Sequence, residues 1–204
     1  MELSDIKEKL LAHQPGLLEQ ERLYRTAVFV PVIEKGGRLE VLFEVRSLNL
    51  KGQPGEICFP GGAMEPGENP ETTARRETCE ELLVTQNQLE IWGKLDFLLM
   101  PFGLIIYPLA GFLKDAANLK PNPAEVAEVF SVPLSRLAAT MPEYYEIPLL
   151  PSPPEDFPFL KIPHGRNYPW RRGVLPEYFY EVEGRVIWGM TARILRNFLL
   201  VVQA

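Results

Sequence analysis

A chain of 204 residues that is 46% hydrophobic and 24% charged has the make-up of a folded globular protein, which excludes a disordered or fibrous one, and its length suits one domain with room for an insertion. A formal net charge of −6 excludes a protein that grips nucleic acid by neutralising phosphates over a broad basic face, so an anionic partner would need local help from a metal ion or a few placed cations. The two cysteines, Cys58 and Cys79, are too few for a disulfide framework and point to a reducing, cytoplasmic setting, and no apolar run approaches the ~20 residues that span a bilayer.

The N-terminal MELSDIKEKLLAHQPG is charged from its second residue and carries helical spacing at Leu3, Ile6, Leu10 and Leu11. It predicts a surface helix within an N-terminal extension, 1–25, rather than a signal peptide. Residues 26–33 (TAVFVPVI) and 39–45 (LEVLFEV) are β-rich runs joined by the turn chemistry of EKGGR, which predicts a hairpin. Glycine and proline dominate 52–67, so this stretch reads as a loop. Asn69 as N-cap and Pro70 at the first helical position open a helix that should reach about residue 84.

Beyond it, 89–99 and 104–113 read as strands broken by a turn at Pro101 and Gly103, and 126–132 as a strand followed by a short helix begun at Pro133. Residues 141–177 hold nine of the chain's twenty prolines. So many fixed φ angles and missing donors predict an ordered lip or insertion instead of a core element. A hairpin over 178–188 and an amphipathic helix over 189–202 end the chain. Strands with a helix on each side predict an α/β/α sandwich.

Glu77, Glu80 and Glu81 stand at i, i+3 and i+4, which puts three carboxylates on one face of the predicted helix. Like charges at that spacing repel, so either water solvates them or a cation compensates. A hard divalent ion is the natural candidate, because Mg²⁺ and Mn²⁺ take oxygen ligands from a few carboxylates and from phosphates. The neighbouring spacing favours the ion. Gly62, Glu68, Arg76, Glu77, Glu80 and Glu81 fall on the fixed positions of the Nudix box, G-x5-E-x7-R-E-U-x-E-E-x-G-U with U aliphatic, and the chain resembles the Nudix hydrolases. Thr78 stands where the pattern has an aliphatic residue and Leu83 where it has glycine, so the end and the back face of the helix should differ from the pattern.

The resemblance implies a Nudix-type α/β/α sandwich with a mixed sheet and a proline-rich insertion near the C-terminal third, residues 1–204 forming one domain. It also implies a pyrophosphohydrolase that uses Mg²⁺ or Mn²⁺ to activate water against a diphosphate. Carried over by position, Glu77, Glu80 and Glu81 are the metal ligands, with the Gly62 carbonyl completing the shell. Glu68 and Arg76 support them, where otherwise they would form a plain surface ion pair. Glu80 is the first candidate for the general base, and Glu125 and Glu128 are secondary ones.

The preceding VLFEVRSLNLKGQPGEICFPGG, with Arg46, Ser47, Lys51, Gly55 and Phe59-Pro60-Gly61-Gly62, resembles the signature of the coenzyme A pyrophosphatase group, as does IWGMTARIL over 187–195. That group usually has Arg at the position of Lys51, and Lys supplies charge without a planar fork. Arg46 and Lys51 are therefore candidate substrate contacts, and Trp188 is expected in the core. His13, His164 and the two cysteines carry no expected role. The leading reading is hydrolysis of coenzyme A or its thioesters to 3′,5′-ADP and 4′-phosphopantetheine products. Alternatives are hydrolysis of ADP-ribose or another nucleoside diphosphate derivative, and a module that only binds a nucleotide metabolite. The expected partner is a small nucleoside diphosphate, with no nucleic acid and no membrane; a homodimer is held open.

Overall fold

The computed structural model describes residues 2–203. Helix α1 (Leu3–Ala12) buries no residue, as its narrow apolar stripe foretells. Strand β1 (Tyr24–Lys35) begins inside the expected N-terminal extension and turns into β2 (Arg38–Arg46) through Gly36 and Gly37. Both glycines take positive φ, 58° and 75°, as a two-residue hairpin turn between right-twisted strands requires. The glycine- and proline-rich stretch after β2 is not wholly a loop. It contains β3 (Ile57–Cys58), paired with β2, and β4 (Gly61–Ala63), paired with β1, because a strand this short needs only a neighbour with free backbone groups.

Helix α2 (Pro70–Leu82) starts where the cap chemistry puts it, with the Asn69 side chain accepting from the amides of Glu71 and Thr72 at 2.9 and 3.0 Å. It stops two residues before the predicted end, because Leu83 is left-handed at φ 52°. The expected strand over 89–99 is divided into β5 (Leu89–Lys94) and β6 (Leu98–Met100), which both pair with β7 (Leu104–Leu113). Strand β8 (Val126–Pro133) leads into α3 (Leu134–Ala139).

The proline-rich segment departs most from expectation. It contains a regular strand, β9 (Glu143–Leu149), and the start of β10 (Gly173–Val182). Strand β9 is exposed along nearly its whole length and lies at the edge of the three-stranded sheet β11-β10-β9, where Pro148 is tolerated because an edge strand has amides without ladder partners. Strand β11 (Arg185–Trp188) and helix α4 (Gly189–Gln203) end the fold.

The larger sheet has eight strands in the order β3-β2-β1-β7-β5, with β4, β6 and β8 paired onto β1, β7 and β2. It is mixed, since β1 and β7 run parallel and the other pairs antiparallel. Alternation along β1 and β2 feeds two cores. Ala27, Phe29 and Leu42 pack with Ala74 and Leu82 of α2 on one face, while Val30, Val41 and Phe43 pack with Leu195 and Phe198 of α4 and Ile187 of β11 on the other. The result is the α/β/α sandwich expected from the element order, with the small sheet sharing one outer layer with α4.

Candidate active site

Helix α2 lies against β1 and β4, and this contact organises its carboxylates. Arg76 is their hub. Its Nε and Nη2 donate to the two oxygens of Glu68 at 2.9 and 3.1 Å, its Nη1 reaches Glu77 at 2.8 Å and Glu80 at 3.3 Å, and Nη2 also donates to the Ala63 carbonyl at 3.1 Å. Glu68 further accepts from the Thr73 hydroxyl at 2.6 Å and the Glu65 amide at 3.0 Å. Bonds from Arg76, then from Thr73, hold its carboxyl down at about 2, and the same bond to Glu68 raises the Arg76 guanidinium further above its ordinary value. Both groups stay charged at any physiological pH.

The three helix carboxylates do not share one exposed face. Glu80 is exposed and Glu77 half-buried, but Glu81 is only 4% exposed and accepts from the Gly61 amide at 2.8 Å. The turn of the helix that brings Leu82 into the core also carries Glu81 under β4. Gly62 is a glycine for a steric reason. A Cβ there would stand 2.5 Å from the Glu77 carboxylate, far inside contact distance, so the box glycine is what lets that carboxylate lie against the β4 backbone.

Beneath Glu81 stands Glu44 of β2, which the sequence reading did not single out. It is 1% exposed; its Oε1 accepts from the Cys58 thiol at 3.2 Å, and its Oε2 has no hydrogen-bond partner. Burial pushes Glu44 up to about 7 and Glu81 up to about 9; the Glu44 charge raises Glu81 further, and the charges of Glu77 and Glu125 raise both. Burial also raises Glu77. The one sequence signal for Glu44 is a charge in the middle of an apolar strand, on the face it shares with Leu42. Burial and the Glu44 carboxylate push the Cys58 thiol far up, so it is no nucleophile, and His13 and His164 are exposed.

Glu125 is brought to the group because the Asn122 amide donates to the carbonyl of Glu81 at 2.8 Å, while the Asn122 side chain holds Glu125 at 3.0 Å. Glu128 is not brought in. It is bound by Arg185 at 3.2 Å and 2.5 Å and is not among the charges that act on Glu44, Glu77 or Glu81.

A cavity of about 350 Å³ adjoins the helix, bordered by Gly61 and Gly62 of β4 and by Arg46, and otherwise mainly by apolar residues such as Leu104, Ile106, Met190 and Ile194. Arg46 donates from Nε to the Gly52 carbonyl at 3.3 Å. Lys51 is exposed and does not border the cavity, although Gln53 and Glu56 of the same loop do, so the two candidate cations are not brought together. Trp188, expected in the core, is 44% exposed, stacks on Phe179 and lines the cavity.

As placed, no three His, Cys, Asp or Glu side chains among the described residues converge closely enough to enclose an ion. Glu77 and Glu80 turn to Arg76, and Glu81 to Gly61. The donor set nonetheless fits a hard divalent cation: it is all carboxylate, it carries more negative charge than Arg76 neutralises, and it includes a buried oxygen of Glu44 left without a partner.

Residues 23–150 match the family model described as NUDIX domain. The chain is 39% identical over 115 residues to Nudix hydrolase 3 of Caenorhabditis elegans, covering 54% of this chain and 48% of that protein. It is 41% identical over 109 residues to the peroxisomal coenzyme A diphosphatase NUDT7 of Mus musculus, covering 53% and 46%. In both matches this chain spans about half the length of the relative. An uncharacterized Nudix hydrolase, NudL of Photorhabdus laumondii, is 32% identical over 179 residues, covering 87% of this chain and 84% of its own. Among solved structures, a MutT/nudix family protein from Enterococcus faecalis aligns over 100% of this chain and 70% of its own with a TM-score of 0.52 at 17% identity, a likeness of fold alone. With its sandwich, its glycine-loop-to-helix carboxylate group and these matches, the chain belongs to the Nudix family.

Proposed function

We propose that this chain hydrolyses the diphosphate linkage of coenzyme A or its thioesters, releasing 3′,5′-ADP and a 4′-phosphopantetheine product. The observation that carries the reading is the apolar cavity that borders Gly61, Gly62 and Arg46 beside the carboxylate helix: it offers room for a long, weakly polar arm next to the group that would act on a diphosphate. The naming of NUDT7 as a coenzyme A diphosphatase supports the same direction. In this proposal residues 1–204 act as one domain, with 1–25 an N-terminal extension whose last two residues open β1 and 141–177 a lip, part of which lines the cavity at Leu175 and Glu177. No helix among the described residues is long and apolar enough to cross a membrane.

Glu77, Glu80, Glu81 and the Gly62 carbonyl are the groups that would hold Mg²⁺ or Mn²⁺. Such an ion, when bound, neutralises diphosphate oxygens and makes water acidic enough to react near neutral pH. Arg76 and Glu68 hold the carboxylates in place by the bonds already described, much as outer-shell partners orient ligands elsewhere. Glu80, exposed and bonded by Arg76 at 3.3 Å, takes the proton from the attacking water; Glu125 is the second candidate. Water oxygen bonds to one phosphorus as the P–O bond to the bridging oxygen breaks, so each product leaves as a phosphate ester.

Arg46 borders the cavity and Lys51 does not, so Arg46 is the cation offered to the 3′-phosphate that distinguishes coenzyme A from its dephospho form. A charge-assisted contact of that kind corresponds to a preference of roughly tenfold or more in kcat/KM. Arg46→Ala should shrink that preference and Lys51→Ala should leave it in place, measured with Mg²⁺ by mass-spectrometric product analysis. Faster hydrolysis of ADP-ribose than of coenzyme A by the wild-type protein would hand the site to the ADP-ribose reading.

A further inference from the structure

Glu177 has no part in the chemistry described so far, yet it is placed as a functional group. It sits on β10, is 7% exposed, and its Oε2 is buried without a hydrogen-bond partner. Arg193 acts on it through its charge, but Arg193 gives its Nη1 to the Met100 sulfur at 3.1 Å rather than to that oxygen. A buried acceptor left unsatisfied destabilises a fold, and such atoms persist where something outside the chain supplies the donor.

The surroundings say what that donor is. Glu177 borders the same cavity as Gly61 and Gly62, among Leu175, Met190 and Ile194. Gly189, where α4 begins, presents no side chain to it; a Cβ there would stand 3.9 Å from Oε2. The positive end of α4 makes a carboxylate tolerable at this spot without bonding it. Arg193 already supplies a full positive charge nearby, and burial raises the Glu177 carboxyl, so the site suits a neutral donor better than a second cation.

Building on the coenzyme A reading, we propose that Glu177 accepts a hydrogen bond from an amide N–H or a hydroxyl on the non-nucleotide arm of the substrate, and so selects arms bearing such donors over plain alkyl chains. In an apolar cavity an alkyl arm would leave Glu177 orphaned, while a donor-bearing arm would satisfy both groups. A site built around a buried polar group discriminates strongly against ligands that fail to pair with it.

The test compares wild type, Glu177→Met and Glu177→Gln on two substrates with the same nucleotide diphosphate: coenzyme A, and the 3′-phospho-ADP ester of an n-alkyl alcohol of equal length. Wild type should favour coenzyme A by roughly tenfold or more in kcat/KM. Glu177→Met should abolish the preference, mainly through KM, and in the absence of ligand should melt above wild type because the orphaned carboxylate is gone. Glu177→Gln, which keeps an acceptor without the charge, should fall between and decides the matter should the Met variant fold poorly. A retained preference in both variants overturns the proposal, as does a lower melting point in both, which would make Glu177 a structural counter-charge to Arg193. Should wild type cleave neither ester, the coenzyme A reading fails separately, and calorimetric binding of pantetheine to the chelated protein decides for Glu177: weaker binding to Glu177→Met supports it, and equal or no binding to both proteins overturns it.

Discussion

Glu81 carries two duties that pull in opposite directions. Its carboxylate is held under β4 by the Gly61 amide, with Glu44 below it and Glu77 beside it, so without a cation the charge destabilises the fold that positions it. Glu81→Gln keeps the shape and an oxygen to accept from Gly61 but removes the charge. Turnover should fall by orders of magnitude, while the chelated protein at pH 8 should melt above wild type; near-normal kcat with saturating Mg²⁺ would remove Glu81 from the reaction. Gly62→Ala attacks the same group from the backbone side, because the new Cβ would meet the Glu77 carboxylate at 2.5 Å and must displace it. We expect activity or metal affinity to drop on the order of ten- to a hundredfold, the usual scale for disturbing groups that orient ligands. Titration of Mn²⁺ binding alongside steady-state rates checks this, and unchanged values would mean Glu77 has room to spare.

At the scale of the element, α2 shows how two departures from the family pattern are absorbed. Thr78, in the aliphatic position, is fully buried, and its hydroxyl donates to the Ala74 carbonyl at 2.6 Å one turn back, so the polar atom enters the core already satisfied. Leu83 replaces the terminal glycine yet still takes the left-handed conformation that ends the helix, at φ 52° and with its side chain 62% exposed. A branched residue there is strained and gains little packing in return. Leu83→Gly should therefore raise stability by about 1 kcal/mol with kcat unaltered, read from denaturant melts. A loss of stability would show that the Leu83 side chain contributes contacts worth more than the strain.

At the scale of the whole molecule, the buried carboxylates tie stability to pH. Glu44 at about 7, Glu81 at about 9 and a raised Glu77, against an ordinary value near 4.5, all bind protons in the folded state at pH values where the unfolded chain has released them. Stability therefore falls as pH rises through that window. Glu68, held at about 2, works the other way, but its contribution is lost only as pH falls below the ordinary carboxylate range. The chelated protein should accordingly be more stable near pH 5.5 than at pH 8, and saturating Mg²⁺ or Mn²⁺ should remove most of that difference by supplying the missing positive charge. Denaturant midpoints at the two pH values, with and without the ion, measure this; a midpoint that rises from pH 5.5 to 8 in chelator would contradict the burial of these groups.

The sequence by itself determined what is local. Asn69 and Pro70 start α2, the glycine pair at 36 and 37 closes the first hairpin, and the spacing from Gly62 to Glu81 gathers Glu68, Arg76, Glu77 and Glu80 along one loop and one helix, where separation in sequence translates directly into separation in space. Tertiary structure decided the rest. Glu44 reaches Glu81 only because α2 packs on the face of the larger sheet from which Leu42 and Glu44 point, Glu177 and Trp188 reach the cavity only because the small sheet borders it, and Lys51 stays out of it although Gln53 and Glu56 of the same loop line it. Burial separates Glu81 from Glu80, and β9 forms within a proline-rich segment because an edge was free to receive it. Local spacing is carried by the helix repeat and by turn chemistry, whereas exposure and long-range neighbours depend on which faces the packed layers bring together, and no short stretch of chain holds that information.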